Sequence, residues 1–400
     1  MSTKVSFSDK IFTLSILLLP ILNVYLVGVP LGDLLIFMGL VLVSLSNKTI
    51  HSKISKSSFY LTILLIIHFL IYSFIQDNYF KESILNYLHL IFHLSVLTFF
   101  VKSHFHFEFA IKAMKNISIF STVYILIQGI VLKLFNVYIP GHLSFLQLTN
   151  ERISEFNVLA SDKYYQSQVV IRPRSIFEEP AHYAMYIVIF LAIYLVVEKN
   201  KKKLNRTLGF LTMGVIVSNS STGLILLTIL WIYFLFSRFK ENGYKINYYL
   251  FIFIILSIPF LILILNNSGD YLYAITRLFD SKGVSISVIN RVGGYFEMKN
   301  SLSRFSIFEL FSGKGFTDNL DISSYLPGYG SLFYYFGLMG SLIYFRYLYT
   351  NYRNAANNSS LLIVVILILN FTSDTIFTVF LILSMSFLIT IYKTREESLS

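Results

Sequence analysis

The 400-residue chain contains no cysteine, which excludes disulfide cross-links and thiolate metal centres. Charged residues are scarce, 13% against 55% hydrophobic, and mean hydropathy is +0.67. Within the apolar stretches the ionisable residues are few: Asp33, Lys133, Asp374, and the histidines His68, His89 and His93. Proton relays and ion pathways need carboxylates deep in helices, so this scarcity argues against a secondary transporter. The glycine spacing of a phosphate-binding Walker loop is missing too. So is the short apolar core with a small-residue cleavage site that marks a removable signal peptide. The first apolar segment runs on past Pro20 and is expected to remain as a helix.

What the chain does have is long apolar runs. A stretch of about 18 such residues crosses roughly 30 Å of hydrocarbon, and the sequence holds many. Its length would allow two or three soluble domains, but its hydropathy rules them out. The pattern predicts one all-α polytopic membrane domain over residues 1–400, with about twelve transmembrane helices. The expected spans are 11–28, 31–46, 58–75, 84–101, 117–138, 181–197, 208–220, 221–237, 248–267, 329–350, 360–373 and 374–392. The seventh and eleventh are short. Each opens a tight hairpin, around Ser218–Gly223 and Thr372–Asp374, and either tilts or ends partway inside protein.

Lysine and arginine set the orientation. With the N-terminus inside, segments 1–10, 47–57, 102–116, 198–207, 238–247, 346–359 and 393–400 face the cytoplasm and hold 20 of the 32 basic residues. The short outer connections hold only Lys81. The expected topology is therefore N-in and C-in, with two long outer-face loops, 139–180 and 268–328. The net charge of +11 is a topology signal and a contact with anionic membrane lipid, not a nucleic-acid surface. Because the chain lacks cysteine, the topology can be tested directly. Cysteine placed at Lys163 is expected to react with an impermeant reagent in intact cells, and cysteine placed at Lys202 is not. The reverse pattern overturns the orientation.

The first long loop ends in Arg172-Pro173-Arg174-Ser175-Ile176-Phe177-Glu178-Glu179-Pro180-Ala181-His182. Pro173 fixes its own φ and biases Arg172 toward extended geometry. In such a stretch Arg172 and Arg174 share a face, and two guanidiniums there form a clamp for phosphate or pyrophosphate. Pro180 suits the first turn of the next helix. Glu178 and Glu179 ahead of it complement the helix dipole on the plainer reading. In the second loop an interfacial helix is expected from about 294 to 311, stopped by Gly313-Lys314-Gly315. Arg291 at its start adds a third positive charge near the bilayer surface, or else snorkels to lipid phosphates. Asp33 and Lys133 lie near helix ends, where snorkelling explains them, and Asp374 sits where an N-cap belongs. His89 and His93 are four apart on one helix face, a spacing that can bind metal. No third ligand is evident, so packed polar contacts are the expectation and no metal site is assigned.

The run Arg172–His182, continued by Tyr183-Ala184, resembles the outer-loop signature of Wzy-type O-antigen polymerases, in the superfamily that also holds the O-antigen ligases. Three further features are similar to it: Ser221-Thr222-Gly223-Leu224, Arg291 followed by Gly313-Lys314-Gly315-Phe316, and Gly328-Tyr329-Gly330-Ser331 leading into Gly337-Leu338-Met339-Gly340. Ligases usually carry a histidine before the tenth span, and Pro327-Gly328-Tyr329-Gly330 has none.

The resemblance implies a glycosyltransferase of the bacterial inner membrane that works on its periplasmic face. It would transfer a growing glycan from undecaprenyl pyrophosphate onto a new lipid-linked repeat unit, making O-antigen, capsule or exopolysaccharide. Arg172, Glu179 and Arg291 would carry the chemistry, and Arg174, Glu178, His182, Arg304 and Lys314 would contact substrate. Undecaprenyl-pyrophosphate-linked oligosaccharides are the implied partners, with room for a chain-length regulator protein and with no cofactor. The alternatives are an O-antigen ligase and a lipid-linked oligosaccharide flippase. A flippase should show short loops on both faces and repeated helices.

Overall fold

Pro20 sets the first departure from the expected spans. In the computed structural model, helix α1 (Phe7–Leu18) ends two residues before it. The Ile21 and Leu22 N–H groups both donate to the Leu18 carbonyl, each at 2.9 Å. A proline offers no N–H and its ring collides with the preceding turn, so the apolar run 11–28 is not one helix. Strand β1 (Val24–Leu26) follows, then β2 (Val29–Pro30). β1 pairs antiparallel with β3 (Gln147–Leu148), Val24 opposite Leu148 and Tyr25 opposite Gln147. The structure describes residues 5–22, 24–26, 29–46, 54–75, 81–141, 147–148, 172–241, 286–316, 326–355 and 360–391. The expected span 248–267 and much of both long loops lie outside the described residues.

Apart from those short strands and one turn of 3-10 helix at Thr375–Phe377, the described elements are helices: α2 (Leu31–Ser46), α3 (Lys56–Ile75), α4 (Lys81–Phe99), α5 (Val101–His104), α6 (Phe107–Phe135), α7 (Pro180–Val197), α8 (Lys201–Val217), α9 (Ser221–Glu241), α10 (Ile286–Leu302), α11 (Ile307–Ser312), α12 (Gly328–Ala355), α13 (Ser360–Thr372) and α14 (Val379–Thr390). Among the described residues, four helices are long and apolar enough to cross a membrane: Lys56–Phe74, Phe107–Phe135, Pro180–Val197 and Ser221–Lys240. Several of them keep large apolar side chains on the outside, Phe74 on α3 and Phe120 on α6 among them. An apolar exterior is what lipid accepts and water does not. α8 begins at Lys201, earlier than hydropathy indicated, because the Asn200 side chain caps it by accepting from the Lys203 N–H at 3.1 Å. The basic run therefore forms the helix's first turns.

Two compact units emerge. The first comprises Met1–Asn23, Val27–Met114 and Val288–Ser400, and the second Val24–Leu26 and Lys115–Ser287. In the first, α1 packs on α2, α3 on α4 and α12, and α14 on α4, α5 and α12. A polar clasp fixes the start of α1. Asp9 takes His104 Nδ1 at 2.8 Å on one carboxylate oxygen and His106 Nε2 at 3.3 Å on the other. Burial pushes the Asp9 carboxyl up, but these hydrogen bonds outweigh it and hold the group well below the usual carboxylate range.

In the second unit α7 is the core, with Tyr183 to Tyr194 continuously buried, and both α8 and α9 pack against it. Small residues allow the approach. A Cβ on Gly214 would collide with the Tyr183 hydroxyl, and one on Gly223 would lie 2.5 Å from Ala184 Cβ. The Tyr183 hydroxyl shares a 2.8 Å hydrogen bond with Thr122 of α6.

Candidate functional site

The charged run before α7 folds into a strap, residues 172–179, whose conformation is set by polar groups of α6. Ser175 adopts the left-handed region at φ 57, an unfavourable place for a residue with a Cβ. Gln128 holds it there, accepting the Ser175 N–H at 2.7 Å and donating to the Ser175 carbonyl at 3.3 Å. The Ser175 hydroxyl donates to the Ser121 carbonyl at 2.6 Å. Gln128 and Ser121 were not singled out in the sequence. The available signal was an amide inside an apolar helix, which needs a partner when buried.

The two arginines of the strap engage different partners. Arg174 is buried, at 6% exposure. Its Nη1 donates to the Glu178 carbonyl at 2.9 Å, and its guanidinium lies 5.9 Å from the centre of the Tyr138 ring. It closes the strap on itself. Arg172 is half-buried and reaches the α8–α9 hairpin, where its Nη1 donates to the Asn219 carbonyl at 3.3 Å. Pro180 opens α7 as expected, and Glu179 occupies the N-cap position without capping through its side chain. Glu178 is buried, with Oε2 3.8 Å from His182 Nδ1 one turn along α7. The strap thus gathers Arg174, Glu178, Glu179 and His182 at the start of one buried helix, with Arg172 at its far end.

The other expected site residues, Arg291 for the chemistry and Arg304 and Lys314 for substrate contact, belong to the first unit. Arg291 lies inside α10 rather than at the start of a helix, and its side chain is outside the described residues. The predicted helix over 294–311 is two helices. Ser306 and Glu309 form a reciprocal capping box that starts α11 afresh, leaving exposed Arg304 in the turn between them. Gly313-Lys314-Gly315 has a backbone role. α12 breaks at Gly337, where φ is 61° and ψ −161°. Just before the break, the Tyr334 and Tyr335 carbonyls accept from the Lys314 and Gly315 N–H groups at 2.8 and 2.9 Å. The Lys314 ammonium stands over the rings of Phe305, at 4.9 Å, and Tyr334, at 5.7 Å.

A second cluster was not legible as such. Asp33 of α2 does not snorkel. His89 and His93 of α4 each bring Nε2 to 2.9 Å from one of its carboxylate oxygens. Comparison with protein-family models and with curated proteins finds no match for this chain. Asp374 precedes the Thr375–Phe377 turn but makes no side-chain cap there. It lines a cavity of about 230 Å³ together with Asn86, His89, His93, Tyr335 and Phe377.

Proposed function

We propose that the chain is a polysaccharide polymerase acting on lipid-linked repeat units at the periplasmic face of the bacterial inner membrane. The observation that carries this reading is the folded strap. It concentrates two arginines, two glutamates and a histidine at the start of a buried helix in an otherwise apolar protein, and a spanning protein has little use for such a group unless it meets a polar ligand. In this reading the donor is a glycan on undecaprenyl pyrophosphate. The terminal hydroxyl of a second lipid-linked repeat attacks the anomeric carbon. The bond from that carbon to pyrophosphate oxygen breaks, and lipid pyrophosphate leaves with the electron pair. Glu179 takes the hydroxyl proton, with Glu178 and His182 as the adjoining proton-accepting pair. Arg172 offsets the charge that develops on the leaving group. Arg174, bonded into its own loop, positions the strap.

The test is reconstitution of the purified chain with a synthetic undecaprenyl-pyrophosphate repeat unit. A ladder of lengthening lipid-linked products is expected. Transfer only to a lipid A acceptor would make the protein a ligase, and no turnover of either kind would refute glycosyl transfer.

A further inference from the structure

Asp33, His89 and His93 form the one group among the described residues in which three histidine or carboxylate side chains converge, with ligand atoms all within 4.8 Å of one another. Two observations point beyond a polar contact. The His93 Nε2 makes a sound 2.9 Å hydrogen bond with Asp33 Oδ1. The His89 Nε2 lies as close to the other oxygen, but buried and off the direction a hydrogen bond needs. The two rings are 4.2 Å apart, centre to centre. Both Nε2 atoms thus face one carboxylate, from one turn of one helix. The second observation is space. The two histidines also line the cavity of about 230 Å³, and the Asp374 carboxylate lines it too. That volume has room for further oxygen ligands.

We propose that Asp33, His89 and His93 bind a divalent transition-metal ion of the zinc class, with its open coordination position facing this cavity. Two imidazole nitrogens and one carboxylate oxygen are a donor set such ions accept. Bonds of about 2.0–2.1 Å in a tetrahedron set neighbouring donors roughly 3.3 Å apart, and the three ligand atoms here already lie within 4.8 Å of one another. Three protein ligands and one open position is the arrangement of zinc sites that hold a water or a substrate oxygen, whereas purely structural sites are closed by four. The site stands independently of the polymerase reading, since none of its residues belongs to the strap.

The experiment is a zinc titration of the full-length chain in detergent, in competition with a chromophoric indicator. One equivalent is expected to bind. His89→Gln, His93→Gln and Asp33→Asn should each weaken binding by roughly 100-fold or more, beyond the 10- to 100-fold typical of indirect partners. His104→Gln, in the clasp around Asp9, should leave binding unchanged and so report any general loss of fold. X-ray absorption of the unaltered protein with zinc should show two imidazoles and oxygen ligands at about 2.0–2.1 Å. A chain that takes up no zinc saturably, variants that bind as tightly as the parent, or a first shell with fewer than two imidazoles would overturn the site and leave Asp33 as a hydrogen-bond acceptor.

Discussion

Arg172→Ala is expected to reduce polymer formation by about 100- to 1,000-fold while the chain still inserts, the range seen when one preorganised donor to developing negative charge is removed. The reason to expect insertion is local. Its hydrogen bond to the Asn219 carbonyl is long at 3.3 Å, and even a well-formed bond from a charged donor contributes only about 1.5–3 kcal/mol. Arg172→Lys should recover only part of the activity, since an ammonium lacks the planar fork that pairs with two phosphate oxygens. Arg174→Ala sets the contrast. Its guanidinium is buried and bonded to the Glu178 carbonyl, so its removal should unlock the strap and expose it to protease as well as abolish product. Polymer ladders read beside immunoblots of membrane fractions separate the two outcomes. A full ladder from Arg172→Ala at normal abundance would leave this arginine with no part in the chemistry.

Gly313→Val is expected to destabilise the first unit by about 2–6 kcal/mol, the sum of a glycine-only backbone conformation and an overpacked contact that cannot relax. Gly313 sits at φ 79°, ψ −169°, outside the regions open to residues with a Cβ. An added Cβ would land on the Tyr335 carbonyl, and one on Gly337 would land on Gly313 N. These neighbours are backbone, so no rotamer can swing aside. Gly209→Ala is the control: nothing lies within 4 Å of its Cβ position, and it is in a helix, where alanine is favoured by up to about 1 kcal/mol. Thermal scans of detergent-solubilised, fluorescently tagged protein should show a large drop for the first and none for the second. Equal midpoints would show that the bridge between Gly313–Gly315 and the α12 break is dispensable.

These cases indicate which features a sequence carries. The start of α7 was legible because Pro180 is a local signal that acts within its own turn. The end of α1 was carried by Pro20 just as locally, but averaged hydropathy over 11–28 overrode it. The start of α8 was hidden for the same reason: Lys201–Lys203 lowers the average while Asn200 caps the helix. The fate of Arg174 was not legible, because alternation along an extended chain assumes no turn, and Ser175 makes one. Its enforcer, Gln128, is 47 positions away. Asp33 and His93, likewise, are 60 positions apart, and no spacing rule links residues on different helices. Hydropathy reports on solvent, caps and prolines report on single turns, and neither reports on which helix faces which.

The clasp on Asp9 has a consequence for how the protein is made. Its two histidine partners lie 95 and 97 residues downstream. At about 5–20 residues per second of synthesis, the carboxylate exists for roughly 5–20 seconds before His104 and His106 leave the ribosome. Throughout that interval the first turn of α1 has its Ser6 cap but lacks this tertiary anchor. The clasp closes only when the segment joining α5 to α6 arrives, so α1 gains this anchor after α2, α3 and α4 have been made and before α10 to α14 of the same unit exist.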